Sequence, residues 1–329
     1  MTFDERVEAI VAIGYTHRQA QFLVTVMLHS GVCIIRQYCD FSGITRGRKT
    51  QDFFNLLIER QHASATTDAH SKTRVFHVYS RSLYEAIGEP DNRNRKPAAM
   101  GAAVERLMLL DTVIASRDIE WLATERDKVA HFARLFGTSV RPNELPHFTF
   151  GTPPNTTTRY FPDKLPIGIL PDQSRLFTYL VCRSSPVDFR AFLNRHAHLF
   201  RALRKWRLRL LIPVHLKSAR TAYEAAVRQE LLTPLRLSMA DELRWFLEAK
   251  RAHACGGQVD QERLARANRA FDSPRYRALY RRWLELGPRA LDGVTSSSLV
   301  DAMDRGIGEV ESYVLQHPYH HLRSFVGTA

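Results

Sequence analysis

The chain has 329 residues, of which 44% are hydrophobic and 25% are charged. This composition is typical of a globular protein and excludes a disordered chain, and the length predicts two domains, since a domain averages roughly 150 residues. The 47 lysines and arginines exceed the 34 acidic residues by 13 charges. Such a surplus favours a polyanionic partner, either nucleic acid or an anionic membrane surface.

The cysteines and the apolar stretches exclude several classes of protein. The four cysteines lack the paired spacing of a zinc finger or a disulfide scaffold. Every apolar stretch falls far short of the roughly 20 residues that a membrane helix needs. The amino terminus carries early acidic residues instead of a basic and then apolar signal pattern. We therefore expect a cytoplasmic, nucleoid-associated protein with no cofactor, no metal and no membrane association.

Three helices are predicted within the first 60 residues. The first begins at Thr16, which can cap it, with Gln19 at the position of a capping box. Its apolar stripe consists of Phe22, Leu23, Val26 and Met27. A second, short helix is predicted over 34–41 and a third over 50–60, with a turn at Ser42-Gly43 between them. The buried side of the third helix is predicted to hold Phe53, Phe54, Leu57 and Ile58.

A hairpin is predicted after these helices, since β-prone residues at 63–67 and 74–79 flank a turn-forming segment. Three helices and a hairpin form the order of a winged helix-turn-helix, in which the third helix enters the major groove of DNA and the wing meets the backbone. The predicted DNA contacts of this module are Arg36, Thr45, Arg46, Arg48, Lys49, Thr50, Gln51, Lys72 and Arg74. The alternative is a small helical bundle with a solvated basic surface.

The same region resembles a known family. The run YTHRQAQFLVTVMLHSG at 15–31, the Gly47-Arg48-Lys49 segment, LLIERQ at 56–61 and the hairpin resemble the winged-helix start of replication-relaxation proteins. Those are DNA-binding proteins of plasmids and integrative elements. The resemblance covers about residues 14–80. It implies binding to a DNA site of a mobile element, and it carries over no catalytic residue.

The middle of the chain predicts the domain organisation. A strongly helical run at 98–110 is either a dimerisation helix or an ordinary core helix, and proline, threonine and asparagine dominate 138–158. The predicted divisions are a winged helix-turn-helix at 1–90, a helical connector at 91–137, a linker at 138–158 and an α/β and helical carboxy-terminal domain at 159–329. The expected fold class is therefore α+β and rich in helix.

A parallel βαβ unit is predicted from buried strands at 176–182 and 207–213 on either side of a helix through residue 206. It resembles the restriction-endonuclease-like core, whose chemistry needs one acid on a strand and an acid-x-lysine on the next to hold Mg²⁺. Asp163 or Asp172 could supply the first acid, but 177–183 contains neither carboxylate nor lysine. We therefore expect a degenerate core and no enzyme activity, and a metal-dependent nuclease remains the alternative.

The stretch between Asp188 and Glu224 carries nine cations and no acid: Arg190, Arg195, Arg201, Arg204, Lys205, Arg207, Arg209, Lys217 and Arg220. Cations without neighbouring acids repel one another, so a polyanion alongside would stabilise them. This pattern predicts a second DNA contact through Arg190, Arg201, Arg204, Lys205 and Arg207. The alternative is a solvated helix face.

The function that these patterns favour is sequence-specific binding of double-stranded DNA. The protein would act as a regulator, or as an accessory factor in recombination or replication of a mobile element. Its expected partners are double-stranded DNA and a second copy of the chain, a recombinase or a replication protein. RNA binding is a further alternative, because a basic surface attracts either nucleic acid.

Overall fold

A computed structural model of the protein describes residues 1–68, 72–137, 145–151, 155–232, 237–272, 274–291, 305–319 and 322. Its internal contacts divide the chain into two units. The first comprises residues 1–124 together with 315–329, and the second comprises residues 125–314. Both contain helices and strands, and the fold is α+β and rich in helix, as the sequence predicts.

The first unit opens with α1 (Phe3–Ala12), α2 (His17–His29), β1 (Val32–Ile34), α3 (Ile35–Ser42), α4 (Arg48–Glu59), β2 (Ala63–Thr67) and β3 (Arg74–Val78). It continues with α5 (Arg81–Ala86), a 3₁₀ turn (Arg93–Arg95), α6 (Met100–Ala115) and β4 (Glu120–Leu122). The three predicted helices are α2, α3 and α4, and the predicted hairpin is β2 and β3. The sequence analysis missed α1 and β1.

Helix α2 begins as its sequence predicts. The amide of Thr16 donates to Gln19 Oε1 at 3.0 Å, and the amide of Gln19 donates to Thr16 Oγ1 at 3.4 Å, which completes a capping box. The helix ends against Asn94, whose side-chain amide donates to the carbonyl oxygens of Met27 and Leu28 at 3.1 and 3.0 Å. Gly31 has a φ of 74°, and a Cβ there would overlap the backbone of Asn94.

A small antiparallel sheet and an aromatic cluster hold α3 and α4 in place. The sheet has the strand order β1-β3-β2, with Val32 opposite His77 and Ala63 opposite Val78. The apolar face of α2 is fully buried, and aromatic rings join the helices to the sheet, with centroids 4.6 Å apart for Tyr38 and Phe53 and 4.3 Å apart for Phe54 and Phe76. Such ring pairs add about 0.5–1.5 kcal/mol each beyond the area that they bury.

The carboxy-terminal residues complete the first unit. The hydroxyl of Tyr319 donates to Asp111 Oδ2 at 2.7 Å and accepts from Arg36 Nη2 at 2.9 Å, and its side chain is buried. Asp111 lies on α6 and Arg36 on α3. The last described residues therefore bond directly to the short helix that precedes α4.

The second unit begins with α7 (Glu125–Phe136), β5 (His147–Phe150), β6 (Thr157–Tyr160), β7 (Ile167–Ile169), β8 (Arg175–Leu180), α8 (Val187–Ala202) and β9 (Trp206–Ile212). A 3₁₀ helix (Val214–Ala219), α9 (Arg220–Val227) and a π-helical turn (Arg228–Leu232) follow. The unit ends with α10 (Leu237–Ala254), α11 (Gln261–Ala270), α12 (Pro274–Leu286), a 3₁₀ turn (Gly287–Ala290) and β10 (Gly308–Val314).

The predicted βαβ unit is confirmed. Within the second unit the strand order is β10-β9-β8-β7; β8 and β9 are parallel, β10 is parallel to β9, and β7 is antiparallel to β8. Helix α8 joins β8 to β9. The helix prediction extended too far, because α8 ends at Ala202 and Trp206 is the first residue of β9, where its side chain is fully buried.

The helices near the carboxyl end pack around a separate core. Helix α11 ends at Ala270, and α12 starts at Pro274. Proline lacks an amide hydrogen and favours the first turn of a helix, so it starts a new helix rather than continuing one. Trp283 belongs to this core, and Tyr276 and Tyr280 pack against it.

The segment predicted as a linker contains strands. β5 and β6 pair antiparallel, with Phe148 opposite Arg159 and Phe150 opposite Thr157, while 138–144 and 152–154 lie outside the described residues. The division between the units falls at 124–125, ahead of the segment predicted to separate the domains. No helix of the described residues is long and apolar enough to cross a membrane.

Candidate nucleic-acid interface

Helices α3 and α4 and the turn between them carry most of the predicted contacts. Helix α3 ends at Gly43, which has a left-handed φ of 63°, and the amide of Ile44 donates to the carbonyl oxygen of Cys39 at 3.0 Å. A left-handed residue at this position is the common way to end a helix, and glycine adopts it without strain. Gly47 then precedes α4, which begins at Arg48.

Helix α4 has a buried side and an exposed side. The buried side consists of Thr50, Phe53, Phe54 and Leu57, each no more than 1% exposed. At 100° per residue, the opposite side carries Arg48, Gln51, Asp52, Asn55 and Glu59, and all five are exposed. We call these five residues the α4 polar face.

Basic residues concentrate at the amino-terminal end of α4. Arg46, Arg48 and Lys49 are exposed, and none of them forms an ion pair with a described residue. Thr45 and Gln51 are exposed beside them. The positive end of the helix dipole adds to these charges, and Gly47 has no side chain to cap the first amides. This end of the helix therefore carries a positive potential suited to a phosphate group.

Two residues of the predicted set do not lie on this surface. Thr50 is 1% exposed and belongs to the core side of α4. The guanidinium of Arg36 donates to Asp40 at 2.7 Å and to Asp111 at 2.9 Å, in addition to its bond with Tyr319. Thr50 is buried in the core, and the guanidinium of Arg36 is held by its three partners. We therefore remove both residues from the predicted DNA contacts.

The β2–β3 hairpin places two further cations. Lys72 is exposed with a positive φ of 55°, at the described edge of the turn, and 69–71 lie outside the described residues. Arg74 begins β3 and is half-buried, with its guanidinium 4.9 Å from the ring centroid of Phe76. Lys72 is thus open to a phosphate, whereas Arg74 is partly held by its cation–π contact.

Four residues on or near this surface were not predicted from the sequence. Asp52, Asn55 and Glu59 belong to the α4 polar face, and the predicted set stopped at Gln51. Arg18 is exposed on α2 and lies near Tyr38 of α3; burial raises the pKa of Tyr38, and the Arg18 charge partly opposes that rise. The helical period alone could have found Asp52 and Asn55, because both lie opposite Phe53, Phe54 and Leu57.

The cationic stretch of the second unit is free of acids only along the sequence. Arg190 Nη1 lies 2.7 Å from Glu230 Oε1, and both side chains are buried. The remaining ion pairs are Arg195–Asp163, Lys205–Asp172, Arg207–Asp172, Arg207–Glu309, Arg209–Glu311 and Arg220–Glu224. Except for Glu224, which lies four residues after Arg220, each of these acids lies at least 32 residues from its partner in the sequence. The mutual repulsion that predicted a polyanion is therefore largely absent.

These pairs change the predicted second contact. Arg190 is 4% exposed and cannot reach a phosphate in this fold, so we remove it. Burial lowers the pKa of Arg201, whose Nη1 lies 3.5 Å from His198 Nδ1. Lys205 and Arg207 are half-buried and ion-paired. Of the five predicted residues, Arg204 is exposed and forms no ion pair with a described residue.

The two acids considered for a nuclease site are also engaged. Arg195 Nη1 contacts both carboxylate oxygens of Asp163, at 2.6 and 2.7 Å. Lys205 and the hydroxyl of Ser174 hold the pKa of Asp172 well below its usual range. Among the described residues, no group of three histidine, cysteine, aspartate or glutamate side chains could hold a metal ion. The geometry therefore gives the nuclease alternative no support.

Comparison with family models, with curated proteins and with solved structures found no match to the chain.

Proposed function

We propose that the protein binds double-stranded DNA sequence-specifically through the first unit, with α3 and α4 as a helix-turn-helix and α4 in the major groove. The order of α2, β1, α3, α4, β2 and β3 supports this proposal, because it matches that of a winged helix. The observation that carries the proposal is that three exposed cations, Arg46, Arg48 and Lys49, lie at the start of α4 next to the exposed polar side chains of the same helix.

The chemistry of that face suits base edges. The amides of Gln51 and Asn55 can each form two hydrogen bonds with adenine in the major groove, and the guanidinium of Arg48 can do so with guanine. Arg46 and Lys49 flank the face and would meet phosphates, and Lys72 on the hairpin would meet the backbone farther along the duplex. Base contacts and phosphate contacts would thus be made by different side chains of the first unit.

We further propose the biological role that the family resemblance implies. The protein would act at a DNA site of a mobile element, as a regulator or as an accessory factor of recombination or replication. Its partners there would be a second copy of the chain or a recombinase or replication protein. A dimer would bind two half-sites about one helical turn apart.

Equilibrium binding tests the proposed function. We expect the full chain to select a preferred sequence from a library of random duplexes. The double variant Arg48→Ala/Lys49→Ala should lose the preference at the base that Arg48 contacts and bind every duplex more weakly, because Lys49 would meet a phosphate. The lost base contact should cost about 1–3 kcal/mol. The matched control is Arg251→Ala/Arg269→Ala, which removes two exposed cations of the second unit. Equal binding by wild type and the α4 double variant would refute the proposal.

A further inference from the structure

Asp52 and Glu59 are the acidic residues of the α4 polar face, and a purely phosphate-attracting surface would contain neither. Asp52 is exposed and lies four residues after Arg48, a spacing at which an ion pair within the helix is common. Neither residue forms an ion pair with any part of the chain that the structure describes. The carboxylate therefore stands on the same face as the cations without neutralising one of them.

A carboxylate in this position has opposite effects on two kinds of DNA complex. Near phosphates it is repelled, so it lowers the affinity for every duplex. In the major groove it can accept a hydrogen bond from the N4 amino group of cytosine, which is the base-edge donor that suits an acidic side chain. Only a duplex with cytosine at the facing position would offset the repulsion.

We propose that Asp52 is a specificity-determining residue, which accepts a hydrogen bond from cytosine N4 and rejects duplexes that lack cytosine at that position. This inference rests on the proposed function, and it adds the identity of one base and the residue that selects it. Asp52 lies toward the start of α4, one turn from Arg48, where a recognition helix reaches base edges. Glu59 lies at the last residue of the helix, farther from that end.

The alternative is that Asp52 serves only solubility, as exposed acids on helices often do. A solubility residue would have no preferred base opposite it. Its removal would raise the affinity for all duplexes equally. The inference instead requires that removal changes one position of the selected sequence, and this difference makes it testable.

The test is selection from a random duplex library by wild type, Asp52→Asn and Asp118→Asn, each as the full chain. Asparagine keeps the size of Asp52 and removes its charge, and it pairs better with adenine than with cytosine. Asp118 is an exposed acid of the same unit outside α4, so its variant removes the same charge elsewhere. Thermal unfolding of the three proteins verifies that each is folded.

We expect Asp52→Asn to reduce the preference for cytosine at one position about tenfold, to shift it toward adenine, and to leave the other positions unchanged. We also expect binding of Asp52→Asn to a scrambled duplex to strengthen several-fold more than that of Asp118→Asn. An unchanged sequence selected by Asp52→Asn would overturn this inference and leave the proposed function intact. If wild type selects no sequence at all, the proposed function fails and the inference fails with it.

Discussion

At the scale of single residues, two buried side chains make predictions that do not depend on DNA. His196 on α8 is 2% exposed, and its ring nitrogen Nδ1 lies 3.0 Å from the carbonyl oxygen of Phe192. Burial lowers the pKa of His196 to about 4. The folded protein therefore keeps this histidine neutral at a pH at which the unfolded chain would protonate it.

The sign of the pH dependence follows from that difference. The folded pKa lies below the unfolded value of about 6.5, so protonation of His196 favours the unfolded chain. The contribution of His196 to the free energy of unfolding is therefore fully present above pH 6.5 and falls as the pH drops toward 4. Between pH 6 and 5 this histidine should contribute a slope of about 1.2 kcal/mol per pH unit to the free energy of unfolding. Urea titrations across this pH range should show a flatter slope for His196→Gln than for wild type. Equal slopes in the two proteins would contradict the buried neutral state.

Tyr319 makes the second prediction at this scale. Its hydroxyl satisfies Asp111 and Arg36 in a half-buried network, so Tyr319→Phe leaves a carboxylate short of a donor. The free energy of unfolding should fall by about 1–3 kcal/mol in a urea titration. Tyr313→Phe is the control, because Tyr313 is 40% exposed. A loss no greater than that of the control would show that the network does not stabilise the first unit.

At the scale of elements, the β2–β3 hairpin should grip the backbone without reading bases. We expect Lys72→Gln/Arg74→Gln to weaken binding to all duplexes equally and to reduce the salt slope by up to about 1.8, since each phosphate contact contributes about 0.9. The sequence selected from a library should stay the same. A changed sequence with an unchanged salt slope would assign reading to the hairpin instead.

The salt slope of DNA binding also tests whether the second unit contacts DNA. Arg204 lies in the loop between α8 and β9 and is the exposed cation of the predicted second contact that no described residue neutralises in an ion pair. If the second unit touches DNA through this loop, Arg204→Gln should reduce the salt slope by up to about 0.9. If it does not, the slope should match that of wild type, and this loop makes no phosphate contact.

Elements were predictable from the sequence where the signal was local. The Thr16 capping box, the glycine end of α3 and the hairpin at 63–78 all depend on neighbouring residues, and each is present as predicted. The partners of Arg190 and Arg207 were not predictable, because Glu230 and Glu309 lie 40 and 102 residues farther along the chain. A charge count along the sequence reports which acids are adjacent in the chain, and the fold brings others alongside.

Within the candidate site, the sequence predicted some of the buried and exposed residues of α4 correctly and others incorrectly. The apolar spacing identified Phe53, Phe54 and Leu57 correctly, but it assigned Thr50 to the DNA side although the 100° period places it on the core side. Asn55 and Asp52 were passed over because the prediction followed basic residues rather than the exposed face. The period, once applied to every residue of the helix, identifies the face.

At the scale of the whole molecule, the excess of 13 positive charges predicts a polyanionic partner but not its location. The fold pairs most cations of the stretch at 190–220 and leaves Arg46, Arg48 and Lys49 without ion pairs to described residues, which supports the location that we propose at the start of α4.

Protection of guanine N7 from methylation on the selected duplex tests directly whether α4 lies in the major groove, because N7 is exposed there. We expect wild type to protect guanines within the selected sequence. Arg48→Ala should lose the protection of one guanine, and Arg251→Ala should keep them all. Methylation of every guanine N7 in a duplex that wild type binds would contradict the placement of α4 in the major groove. Protection that is the same with Arg48→Ala as with wild type would contradict a contact between Arg48 and guanine.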